Sequence, residues 1–129
     1  MKKTILLMFV FLAMASGVHA WTLKTGTYHL SGGNSEWGGS GYQGEVVIAP
    51  QGDNYSVTWY VGSKQTQAGV GILQDDILSV AFVDFSNPNF WGVASYRIGP
   101  WGELEGRWTS HDGRTQKPEH LIWKNHSLY

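Results

Sequence analysis

Apolar and polar positions alternate most strictly between Gly41 and Val61, in GYQGEVVIAPQGDNYSVTWYV. Tyr42, Gly44, Val46 and Ile48 fall on one side of an extended strand, and Gln43, Glu45, Val47 and Ala49 on the other, because strand side chains alternate with period two. Pro50, Gly52, Asp53 and Asn54 interrupt the pattern with turn chemistry. A second run then places Tyr55, Val57, Trp59 and Val61 on one face and Ser56, Thr58 and Tyr60 on the other. This hairpin has a greasy face that needs more sheet to cover it.

The remaining chain supplies further strands of the same kind. Lys24–Ser31 puts Gly26, Tyr28 and Leu30 on one face. Thr66–Leu73 puts Ala68, Val70 and Ile72 opposite Gly69 and Gly71. Ile77–Val83 is apolar on both faces, and Phe90–Ile98, Glu103–Thr109 and Glu119–Lys124 alternate again. Gly62-Ser63, Gln74-Asp75-Asp76, Ser86–Asn89 and Gly99–Gly102 provide the turns between them. Eight short strands at near-regular spacing, with no helical period after residue 20, predict an all-β fold. A single antiparallel up-and-down barrel is the closed form that leaves no exposed edge. Its expected interior is Tyr28, Tyr42, Val46, Ile48, Val57, Trp59, Val70, Ile72, Leu78, Val80, Phe82, Tyr96, Ile98, Leu104, Trp108 and Leu121. Small residues in phase with them, Gly26, Gly44, Ala94 and Gly106, make room for the rings. A barrel of this size fills itself or holds one small ligand.

Residues 1–20 follow a different rule. Lys2 and Lys3 precede an apolar run from Ile5 to Ala15 and a small-residue exit at Val18-His19-Ala20, the pattern of a cleaved secretory signal peptide. The expected organisation is therefore a signal peptide at 1–20 and a β-barrel domain at 21–129. The expected location is the periplasm or the extracellular medium. No cysteine is present, so packing rather than disulfides must hold an exported domain together. The net charge of −1 includes Lys2 and Lys3, and no basic stripe exists, which argues against nucleic acid as a partner.

Written as motifs, the chain runs G-x-Y at Gly26–Tyr28, Y-x-G-x-V-x-I at Tyr42–Ile48, Y-x-V-x-W at Tyr55–Trp59 and G-x-G-I at Gly69–Ile72. It continues with L-S-V at Leu78–Val80, Y-x-I at Tyr96–Ile98, L-x-G-x-W at Leu104–Trp108 and E-x-L at Glu119–Leu121. This string resembles a family of small exported bacterial β-barrel proteins, some labelled fibronectin-binding or adhesin-like. The opening Gly26-Thr27-Tyr28 is also similar to the G-x-W start of lipocalin-like and avidin-like barrels, with Tyr in place of Trp. The resemblance implies the fold and brings no catalytic residue with it.

Candidate chemistry is sparse. Gly39, Gly41 and Gly44 match G-x-G-x-x-G, but a strand follows them where the dinucleotide fingerprint needs a helix. No G-x-S-x-G occurs, and no two histidines share a strand face at metal-ligand spacing, so neither a metal nor another cofactor is expected. Glu103 and Glu105 share a face with Arg107, the pattern of a solvated outer wall. Glu119 differs: it is in phase with Leu121 and Trp123, points inward at the barrel mouth, and needs Arg97, Arg107 or a Tyr hydroxyl as partner.

All seven Trp lie beyond residue 20. Trp59 and Trp108 read as core. Trp37 and its neighbour Glu36, in a stretch with five glycines between Ser31 and Gly41, Trp91, and Trp101 in a Gly-Pro turn are the candidate binding residues, together with Glu119. The expected function is a non-enzymatic exported module that recognises a small apolar ligand, or a host or envelope protein, through its mouth and loops. Three alternatives fit the same strands: a plugged structural envelope barrel, a small outer-membrane barrel, and a hydrolase using Glu119.

Overall fold

The computed structural model describes residues 21–33 and 41–124. The proposed signal peptide at 1–20 and the candidates Glu36 and Trp37 lie outside the described residues. Eight strands follow in order: β1 (Gly26–Gly32), β2 (Tyr42–Gln51), β3 (Asn54–Val61), β4 (Lys64–Gln74), β5 (Ile77–Asp84), β6 (Trp91–Ile98), β7 (Leu104–Ser110) and β8 (Lys117–Trp123). Each is antiparallel to the next, and β8 returns to pair with β1, closing the barrel. Three connections are two-residue turns whose first residue has the left-handed φ such hairpins require: Gly52 at 60°, Gly62 at 66° and Asp75 at 55°.

The interior follows the period-two reading on seven strands. Tyr28, Leu30, Val46, Ile48, Val57, Trp59, Leu78, Val80, Phe82, Ala94, Tyr96, Ile98, Leu104 and Leu121 form one buried cluster. On β4 the expected phase is inverted. Val70 is 47 % exposed and Ile72 is 61 % exposed, whereas Gly69, Gly71 and the partly buried Leu73 face inward.

Burying Val70 and Ile72 would gain about 3–6 kcal/mol, so something stronger must oppose it. Space is the reason. A Cβ on Gly71 would lie 2.9 Å from Leu78 Cδ1 and 3.3 Å from Val80 Cγ2, and one on Gly69 would lie 2.2 Å from the Ala81 carbonyl oxygen. The large residues of β5 occupy the volume that side chains on the inward face of β4 would need. A register shift between Trp59 and Tyr60 adds an extra residue on β4 at Thr66. Such a bulge re-aims the side chains beyond it.

The two ends of the barrel differ. At the end holding the β2–β3, β4–β5 and β6–β7 turns, the N-terminal segment folds across as a plug. Leu23 is buried, the Tyr28 hydroxyl donates to the Lys24 carbonyl, and Trp123 Nε1 donates to the Thr25 carbonyl at 3.1 Å. The Lys24 ammonium covers the Trp123 ring at 4.4 Å. Among the described residues, no segment folds across the opposite end, where the odd-numbered strands finish, in this way.

Candidate functional site

At that second end a cavity of about 230 Å³ opens inside the barrel. It is lined by Tyr42, Trp59, Val61, Gln67, Phe82, Phe90, Tyr96, Trp108 and Glu119. Phe90 reaches it because the β5–β6 loop is held tightly. Asp84 Oδ1 accepts from the Ser86 and Asn87 amides and from the Ser86 hydroxyl, a side-chain turn typical of Asp, and the Asp84 amide donates to the Phe90 carbonyl at 2.9 Å. Phe82 stands between two indoles, 5.6 Å from Trp59 and 6.1 Å from Trp108, with ring planes tilted by 58° and 74°.

Glu119 forms the polar floor. It is only 5 % exposed. Its Oε1 accepts from Trp59 Nε1 at 2.9 Å and from the Tyr96 hydroxyl at 2.5 Å, and its Oε2 accepts from the Tyr42 hydroxyl at 2.7 Å. Trp108 Nε1 in turn donates to the Tyr42 oxygen at 2.7 Å. Four polar aromatic groups on four strands thus converge, directly or through one relay, on a carboxylate from a fifth. No buried side-chain polar atom among the described residues lacks a partner.

Strand register explains how the tyrosines reach it. Glu119 pairs with Gly32 on β1 and with Gly106 on β7. Gly32 is itself opposite Tyr42, and Gly106 is opposite Tyr96. A Cβ on Gly32 would lie 2.4 Å from the Tyr42 hydroxyl oxygen, and one on Gly106 would lie 2.3 Å from Tyr96 Cδ1. Each ring therefore lies flat over a glycine and delivers its hydroxyl to the carboxylate one strand further on. Any side chain at either glycine would lift the ring away.

This environment changes the tyrosines. Burial pushes the Tyr42 and Tyr96 hydroxyls well above the ordinary phenol range, and the negative charge of Glu119 and the hydrogen bond to it push the same way. At the plugged end, burial raises Tyr28 to about 12, partly offset by its bond to the Lys24 carbonyl.

Of the candidates read from the sequence, Glu119 lies in the cavity. Trp91 is 51 % exposed on the outer wall at the cavity end, stacked on His111 at 5.3 Å. Trp101 is 85 % exposed in the β6–β7 turn at the plugged end. The structure does not bring these two together with Glu119. Arg97 and Arg107, offered as partners for Glu119, point outward, and Tyr hydroxyls take that role. Trp59 and Trp108, read as plain core, are cavity walls. The signal for them was available: polar-tipped aromatics in phase with an inward carboxylate at the same end of the sheet.

A larger open depression of about 1000 Å³ runs over the outer wall past Val70, Ile72, Val93, Arg97 and Arg107. No buried polar group converges on it, which sets it apart from the inner cavity.

No family model matches the chain, and no curated protein matches it. Two solved structures resemble it, both redesigned β-barrels. One has a TM-score of 0.65 at 17 % identity, covering 78 % of this chain and 91 % of the other. The second, mFAP1 bound to DFHBI, has a TM-score of 0.61 at 16 % identity, covering 77 % of this chain and 94 % of the other. At such identities the likeness establishes the closed eight-stranded barrel.

Proposed function

We propose that this protein is an exported, non-enzymatic binding module that holds one small, mainly apolar ligand in the cavity at the open end of its barrel. The observation that carries this reading is the asymmetry of the interior. One end is covered by the N-terminal segment, and the other keeps an aromatic chamber around a single hydrogen-bonded carboxylate. Apolar walls with a few convergent polar groups are the usual form of a small-molecule site. A redesigned barrel of similar fold is bound to DFHBI, which supports the reading by analogy of fold.

Among the described residues the lining offers one carboxylate and no Ser, Cys or His, which favours holding over cleaving. The outer wall carries Arg97, Glu105 and Arg107, side chains that a lipid-facing wall would penalise. Export, to the periplasm or beyond, rests on the leader pattern at residues 1–20.

Titration with toluene, a neutral aromatic of suitable size, tests the site. The indole N–H signals of Trp59 and Trp108 should move in a nuclear magnetic resonance spectrum while Trp101 stays fixed. Val61→Trp, which places bulk at the mouth, should abolish those shifts. Shifts confined to Trp91 or Trp101, or unchanged in the variant, would remove the cavity from consideration.

A further inference from the structure

We infer that the ligand of this cavity is a small organic cation, an ammonium group on a compact aromatic or alkyl body, with Glu119 as its receptor. The inference rests on the small-ligand reading above and adds the chemical class.

Hydrogen-bond capacity is the first argument. A carboxylate offers about four accepting positions, two on each oxygen. On Oε1 both are used, by Trp59 and Tyr96; on Oε2 the side chains use one, through Tyr42. The floor of the chamber therefore keeps an acceptor for one further donor. The aromatic donors are already engaged: Tyr42, Tyr96 and Trp59 point at Glu119, and Trp108 points at Tyr42. A ligand that brings only acceptors finds these donors turned away from it. One that brings negative charge also meets the charge of Glu119.

Charge is the second argument. A buried carboxylate calls for a counter-charge, and the cavity lining contains no Lys, Arg or His. The ion pairs among the described residues, His120 with Glu105 and Lys124 with Glu45, involve other carboxylates. A cation entering the chamber would supply what the described lining residues do not.

The walls are the third argument. Trp59, Phe82 and Trp108 all line the space, with Phe82 tilted against both indoles, and an aromatic face attracts a cation. Trp108 already shows this affinity at the rim, where the exposed Lys117 holds its ammonium 5.2 Å from the ring centroid. The volume of about 230 Å³ is below the ~300 Å³ lower bound of drug-sized sites, which restricts the ligand to a small amine.

Three probes with one aromatic body and different charge separate the possibilities: phenethylammonium, 2-phenylethanol and phenylacetate, each titrated into the intact protein at neutral pH by calorimetry. Phenethylammonium should bind about tenfold or more tighter than the alcohol, as a desolvated charge-assisted bond would give, and phenylacetate should bind most weakly. Glu119→Gln should erase the ammonium's advantage over the alcohol. Should that variant not fold, the charge series on the unaltered protein decides alone, and Tyr42→Phe, which releases a second position on Oε2, should preserve the preference. Equal binding of alcohol and ammonium, or tightest binding of phenylacetate, overturns the cation assignment while the small-ligand reading stands. Absence of binding by all three at millimolar concentration overturns both.

Discussion

Replacing Glu119 with leucine is expected to cost about 3–5 kcal/mol of stability, even though it trades a buried charge for an apolar side chain of similar size. The reason is the direction of the surrounding bonds. Trp59, Tyr96 and Tyr42 all donate to this carboxylate, and each buried donor left without an acceptor costs about 1–3 kcal/mol. Exchanging a whole buried polar cluster for apolar residues can be neutral or stabilising, but removing one member leaves the rest exposed to that penalty. Glu119→Gln keeps one oxygen as an acceptor and should cost less, about 1–2 kcal/mol. Against a total domain stability of about 5–15 kcal/mol, the two variants are readily told apart by equilibrium denaturation. Adding Tyr96→Phe to Glu119→Leu should recover part of the loss, because the donor stranded by the first change is then gone. A leucine variant as stable as the parent would show that the bonds to Glu119 merely offset its desolvation.

The second large effect is expected at alkaline pH. Tyr28, Tyr42 and Tyr96 hold their protons in the folded state more firmly than in the unfolded chain, where a phenol titrates near 10. Below that pH both states carry the protons, and the stabilisation is fully present. Above it the unfolded chain releases them first, so stability falls as pH rises. For Tyr28 the loss runs from about 10 to about 12; Tyr42 and Tyr96, also held well above the ordinary phenol range, add to it in the same direction. Each group contributes a slope of up to about 1.4 kcal/mol per pH unit, so the three together approach about 4 kcal/mol per unit. Denaturant midpoints should drop steeply above pH 10, and tyrosinate absorbance from these residues should appear together with unfolding. Smooth titration of Tyr28, Tyr42 and Tyr96 near pH 10 with the barrel intact would contradict the burial described for them.

Much of this architecture was legible because strand parity is a local property. Tyr28, Val46, Ile48, Val57 and Trp59 announce their faces within a few residues, and the turns at Gly52, Gly62 and Asp75 carry residues suited to their φ angles. Glu119 was legible for the same reason, since parity with Leu121 sends it inward.

Strand β4 was not legible. Val70 and Ile72 are the more apolar side of their own segment, and only the bulk of Leu78, Val80 and Phe82 on the neighbouring strand makes glycine the inward residue. The site was half legible. Parity gives Trp59 and Trp108 as inward, but whether an inward aromatic meets packing or a cavity depends on which end the chain plugs. That is decided by Leu23 and Lys24, residues at or just before the first recognised strand. Gly32 falls in the glycine-rich stretch after the first expected strand, where nothing in the sequence shows that its lack of a side chain lets Tyr42 lie across to Glu119.

Hydrogen exchange at the indole nitrogens tests the carboxylate cluster most directly. Trp59 donates from the buried interior to Glu119, whereas Trp101 stands almost fully in solvent. The Trp59 indole proton should exchange orders of magnitude more slowly than that of Trp101, and Glu119→Gln should narrow the gap. Equal exchange at the two positions would contradict the cluster and the chamber built on it.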